Sequence, residues 1–110
     1  TIAPCSTGAI YISSDYGTTW NVPSSTIMHN LFGVAVGSNG NAFAVGQVGT
    51  VYSSTLSTAY DTWTTSVVTA SSPPQLNSVA SFDGTVVFAA GGLGKMYKST
   101  DSAQSWVALT

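Results

Sequence analysis

Three tryptophans divide this chain evenly: Trp20, Trp63 and Trp106 stand 43 residues apart. A tyrosine precedes each of them, at Tyr11, Tyr52 and Tyr97. Other segments keep the same period. Leu31-Phe-Gly-Val-Ala-Val36 matches Leu76-Asn-Ser-Val-Ala-Ser81, and Ala42-Phe-Ala-Val-Gly46 matches Val87-Phe-Ala-Ala-Gly91. Asn39-Gly40 matches Asp83-Gly84. A period in the low forties is the length of one four-stranded β-propeller blade, a unit that buries its apolar faces only by stacking on others.

Local signals point the same way. Short apolar runs alternate with turn residues, and no segment sustains a 3.6-residue period. Asn39-Gly40 and Asp83-Gly84 each sit between two such runs, the pattern of a two-residue hairpin with both turn positions at positive φ. The expected architecture is all-β, about two and a half blades of antiparallel strands within one segment, residues 1–110. A full blade over 31–68 is expected to carry strands Leu31–Val36, Ala42–Gly46, Thr50–Ser54 and Thr62–Val68. A second, over 76–109, has Leu76–Ser81, Thr85–Ala90, Lys95–Ser99 and Ser105–Leu109. A half blade over 8–22 keeps only its last two strands, Ala9–Ser13 and Thr19–Val22, without the two that should precede them. Pro23-Ser24-Ser25 and Ser71-Ser72-Pro73-Pro74 read as linkers, and Gly91-Gly-Leu-Gly94 as a turn within a blade.

The loop before each tryptophan carries the clearest motif. Ser13-Ser-Asp15-Tyr-Gly17-Thr-Thr-Trp20 fits Ser-x-Asp-x-Gly-x-x-Trp. In such a turn the carboxylate accepts backbone N–H groups, glycine permits positive φ, and tryptophan buries a large ring between blades. Ser99-Thr-Asp101-Ser-Ala-Gln-Ser-Trp106 repeats it with Ala103 in the glycine place, so strain or a different turn is expected there. Between Ser53 and Trp63 the loop is three residues longer, and Asp61 sits too near Trp63 to take the usual carboxylate role.

On these residues the chain resembles the Asp-box, or bacterial neuraminidase repeat, propellers. That group includes sialidases, sortilin-type receptors and photosystem II assembly factors. The order Leu-x-x-Val-Ala, hairpin, Phe-Ala-x-Gly, Tyr-x-Ser-x-Asp is most similar to the photosystem-assembly branch. The resemblance implies that the boxes are peripheral folding elements, with structural roles for Asp15 and Asp101.

Composition narrows the chemistry. The chain has four acidic and two basic side chains and a net charge of −2, where soluble domains carry about a quarter charged residues. With two Lys and no Arg it has no phosphate-binding surface, so nucleic acid is excluded as a partner. No apolar run approaches the roughly 20 residues of a membrane-spanning helix, and no signal peptide is apparent. Sialidases, which the chain resembles, use an Arg cluster and a Tyr–Glu pair, and it has neither Arg nor Glu. Glycoside hydrolysis generally needs two flanking carboxylates, and only Asp61 lacks a turn assignment. One His29 and one Cys5 cannot build a tetrahedral zinc site. No catalytic residue, metal site or cofactor is expected. His29 reads as structural or solvent-exposed, Cys5 as a small buried hydrophobe, and Lys95 with Lys98 as one solvated face opposite Tyr97.

The expected function is therefore a non-enzymatic structural or interaction module, outside the cell or at its surface. Its partners would be other copies of itself or the remaining blades of a longer propeller. Low charge opposes self-association weakly. Two alternatives stand beside it. One is a glycan-binding module with Tyr16 and Tyr60 as stacking contacts; the other is a photosystem II assembly factor-like protein.

Overall fold

The computed structural model describes residues 2–5, 9–13, 17–21, 30–55, 57, 60–68 and 74–109. Ten strands follow in order: β1 Ile2–Cys5, β2 Ala9–Ile12, β3 Leu31–Val36, β4 Ala42–Gly46, β5 Thr50–Ser54, β6 Thr64–Val67, β7 Leu76–Ala80, β8 Val87–Gly91, β9 Met96–Ser99 and β10 Val107–Ala108. They form antiparallel sheets ordered β3-β4-β5-β6, β7-β8-β9-β10 and β1-β2. The two four-stranded sheets are propeller blades, consecutive in sequence and in space.

The first blade is fuller than expected. β1 pairs antiparallel with β2 from Ile2↔Ile12 to Cys5↔Ala9. A single bridge, Ile12↔Asn21, stands where a fourth strand would run. Thus one strand precedes Ala9 where the sequence shows none. Pro4 disguises it: proline cannot donate to a ladder, so a run containing one reads as a poor strand. It is tolerated because β1 is an edge, paired only with β2 among the described residues.

Several strand ends fall short of the sequence reading because side chains capture the backbone groups first. The Asp83 carboxylate accepts the Thr85 and Val86 N–H groups, each at 2.9 Å, and β8 begins at Val87. The Ser54 hydroxyl donates to the Thr62 carbonyl at 2.6 Å, ahead of β6. The Ser105 N–H goes to Asp101, ahead of β10. The hairpin turns also differ from the expected two-residue form. Gly40 N–H reaches Gly37 O at 3.0 Å, and only the glycines, Gly40 at φ 90° and Gly84 at φ 80°, are left-handed. This is a turn followed by a left-handed glycine, a longer member of the hairpin series. The two hairpins meet between blades: Ser38 donates to Phe82 O, and Asn41 Nδ2 to Gly84 O. A Cβ on Gly37 would collide with the Gly84 backbone.

The core lies between the blades, in two layers. Phe43, Val45, Val51 and Val68 of the second blade pack on Leu76, Val79, Val87, Ala89, Tyr97 and Ala103 of the third. Leu31, Ala42, Ala44, Tyr52 and Trp63 of the second blade pack on Ile10 of the first. Strand alternation explains the division, since successive residues point to opposite sheet faces. Each blade has a front, carrying its tyrosine and tryptophan toward the blade before it. Its back faces the blade after it.

Candidate interaction surfaces

The three loops that run into the tryptophans share two features among their described residues. Each begins at a buried serine: Ser13, Ser54 or Ser99. Each places a left-handed residue three positions before its tryptophan: Gly17 at φ 88°, Tyr60 at 61° and Ala103 at 71°. In the first loop the Ser13 hydroxyl accepts the Gly17 N–H at 2.7 Å. In the third, the Ser99 hydroxyl accepts the Ala103 N–H at 2.9 Å. The middle loop corrects the sequence alignment by one residue. Ser54 holds the position, whereas Ser53 points to the back, its hydroxyl 2.9 Å from that of Thr64. Strand pairing decides this, because Ala42 faces Ser54 across the ladder.

Asp101 is the hub of the third loop. Its carboxylate accepts the Gln104 and Ser105 N–H groups and the hydroxyls of Ser99 and Ser105. These bonds favour the ionised form. The Ser105 hydroxyl and amide, then the Ser99 hydroxyl, hold the acid at about 2 against an ordinary 3.8. Asp83 is lowered in the same way by the Val86 and Thr85 amides. Ala103 accepts the left-handed strain expected of it, and Ser102 is left-handed beside it at φ 59°. Asp61 is exposed and has partners of its own.

The remaining sequence candidates are placed as follows. Asp15, Tyr16, His29 and both linker stretches 23–25 and 71–73 lie outside the described residues, as does the Cys5 side chain. Tyr60 is half-buried, and its hydroxyl donates to Gly40 O at 2.8 Å. That ring packs against the core between the first two blades and offers no free stacking platform. Lys95 precedes β9 and Lys98 lies on it. Three residues apart, they do not share a face, because strand side chains alternate with period two. Lys98 sits on the back with its ammonium 5.7 Å from the Phe88 ring centre. An open cleft of about 290 Å³ lies between the second and third blades, bordered by Ser53, Thr55, Thr62, Thr64 and Gln104.

The surfaces that stand out are the two outer faces of the stack. Tyr52 and Tyr97 are 3% and 5% exposed at internal interfaces, but their equivalent Tyr11 is 39% exposed. Trp63 is 7% exposed and its equivalent Trp20 is 41%. The opposite end shows the same contrast. Phe43 and Val51 are fully buried, whereas Phe88 and Met96, which hold their places in the third blade, are 40% and 45% exposed. Val107 and Leu109 extend that outer back face. Fully burying side chains of this size is worth about 1.5–3 kcal/mol each. The repeat pattern named the tryptophans as inter-blade core without separating the end copies from the internal ones.

No family model and no curated protein matches the sequence. Solved structures do. A structure titled YCF48 bound to D1 peptide matches with a TM-score of 0.79 at 16% identity, over 98% of this chain and 35% of that one. YCF48 from Cyanidioschyzon merolae aligns at 17% identity over 98% of this chain and 55% of that one, with a TM-score of 0.45. The first match establishes a shared propeller-blade fold. This chain spans about a third of that protein's length.

Proposed function

We propose that this chain is a non-enzymatic interaction module of Asp-box propeller blades whose outer sheet faces take up further blades. Those blades come from other copies of the chain or from the rest of a longer propeller. One observation carries this reading: repeat positions that are buried at internal blade interfaces recur, exposed, at the two ends of the stack. The carboxylates support it, because Asp83 and Asp101 are spent on holding turns. Exposed apolar patches of this kind mark interaction sites. Low charge and abundant Ser and Thr favour a setting outside the cell. Light scattering across a concentration series tests the reading, with a mass rising above that of one chain expected. A mass of one chain at every concentration would remove self-association from it.

Two other readings keep a specific basis. The hydroxyl-bordered, uncharged cleft beside Ser53 and Thr64 favours a neutral glycan, and a glycan array that shows no binding would eliminate it. The photosystem II assembly factor-like reading rests on the fold shared with YCF48. Retention of the chain on an immobilised D1 peptide would support it, and its absence would count against it.

A further inference from the structure

The two outer faces are not merely apolar; they are complementary in kind. At the interface between the first and second blades, the Trp63 indole N–H is satisfied within its own loop, by Tyr60 O at 2.7 Å. Its ring therefore needs no acceptor from the back it meets, to which Ile10 and Ile12 contribute. At the interface between the second and third blades, the Trp106 indole N–H crosses to the Ser66 hydroxyl at 3.3 Å. The facing back there carries the hydroxyls of Ser53, Thr64 and Ser66. So a tryptophan satisfied in its own loop needs no acceptor from the back it meets, and one that is not draws a hydroxyl from it.

The end faces follow the first pattern on both sides. The Trp20 indole N–H donates to its own Gly17 O at 3.1 Å, so the front of the first blade suits a back that offers no acceptor. The back of the third blade is of that type. Met96 stands where the second blade has Val51, Val107 where it has Thr64, and Leu109 where it has Ser66. The Ser66 hydroxyl that Trp106 uses is replaced by hydrocarbon at Leu109. The only charge on that back among the described residues is Lys98, lying against the Phe88 ring. A cation at a ring face is attractive and leaves the surface compatible with aromatic neighbours.

We infer that the chain binds a second copy of itself head to tail, the Tyr11 and Trp20 front of one copy seating on the Phe88, Met96 and Val107 back of the next. This inference rests on the interaction-module reading and names its partner. The contact would continue the interface already built between the first two blades. It joins unlike surfaces, so it propagates into a ring or a filament and does not stop at a symmetric pair.

Two single-face variants test it, Trp20→Arg and Met96→Arg, both at exposed positions. Circular dichroism and the emission of buried Trp63 check that each remains folded. The wild-type chain is expected to form species larger than a dimer, and each variant alone to fall to the mass of one chain. Mixed, the two are expected to double in mass and stop there, because Met96→Arg keeps an intact front and Trp20→Arg an intact back. If either variant alone still dimerises, or the mixture stays at the mass of one chain while the wild type assembles, the pairing is not head to tail and the inference fails. A wild-type chain that is itself monomeric fails the interaction-module reading first and returns the faces to further blades of a longer chain. A variant that loses its fold is replaced by Tyr11→Glu on the front or Val107→Glu on the back, with the same mixing outcome decisive.

Discussion

The loops of the second and third blades place a left-handed residue three before the tryptophan through different chemistry. In the third blade a single carboxylate, Asp101, gathers two amides and two hydroxyls, and the Ser99 hydroxyl accepts the N–H of left-handed Ala103. In the second blade no carboxylate stands five residues before the tryptophan, and Asp61 is two before it. The Ser54 hydroxyl anchors the Thr62 carbonyl instead. Tyr60 takes the left-handed position, held by its own N–H to Thr55 O and its phenol to Gly40 O. The shared features are a buried serine and a left-handed residue three before tryptophan. The carboxylate is therefore one way of fixing the turn. Where it is absent, a longer loop and a large side chain docked on the neighbouring hairpin do the same work.

The comparison can be broken most forcefully at the tryptophans. Trp63 is buried between blades, and Trp63→Ala should cost about 3–5 kcal/mol, as expected for truncating a core aromatic. Trp106 is half-buried, and Trp106→Ala should cost less, about 2 kcal/mol on the same scale. Urea denaturation of both variants measures the difference, and equal losses would mean that the two loops load their tryptophans alike.

The serines come next. Ser99→Ala strips the buried Ala103 N–H of its acceptor and should cost about 2 kcal/mol, whereas Ser54→Ala removes one donor to a carbonyl and should cost about 1 kcal/mol. Reversal of that order would show that the carboxylate, without the serine, holds the third loop. Tyr60→Phe deletes only the bond to Gly40 O and should cost about 1 kcal/mol. A neutral result would leave ring packing as the whole of the Tyr60 contribution.

The smallest effect is expected in acid. The folded acid of Asp101 lies at about 2, below its ordinary 3.8, so the folded chain holds fewer protons there than the unfolded chain. Its stabilisation is complete above about pH 5 and fades as pH falls toward about 2. Asp101→Asn should flatten that part of the urea-midpoint profile, leaving the decline due to Asp83, which is shifted in the same direction. An unchanged profile would show that Asp101 contributes no pH-dependent stability.

Much of this was legible along the chain. The even spacing of Trp20, Trp63 and Trp106 determined a blade repeat, and alternation placed β3, β4 and β5 within their observed limits. The scarcity of charge determined which chemistries lack residues. Other features were decided only in three dimensions. β1 was hidden by Pro4, whose missing N–H costs nothing at an edge. Ser54, and not Ser53, holds the motif position, because a lengthened loop leaves the serine ambiguous until the Ala42↔Ser54 pairing fixes the register. Above all, period-two alternation assigns each residue to a face without saying whether that face is covered. Tyr52 and Tyr11 hold the same repeat position, yet one is buried and the other exposed. The difference lies in the neighbouring blade, because burial belongs to the packing of blades and not to the pattern of any one of them.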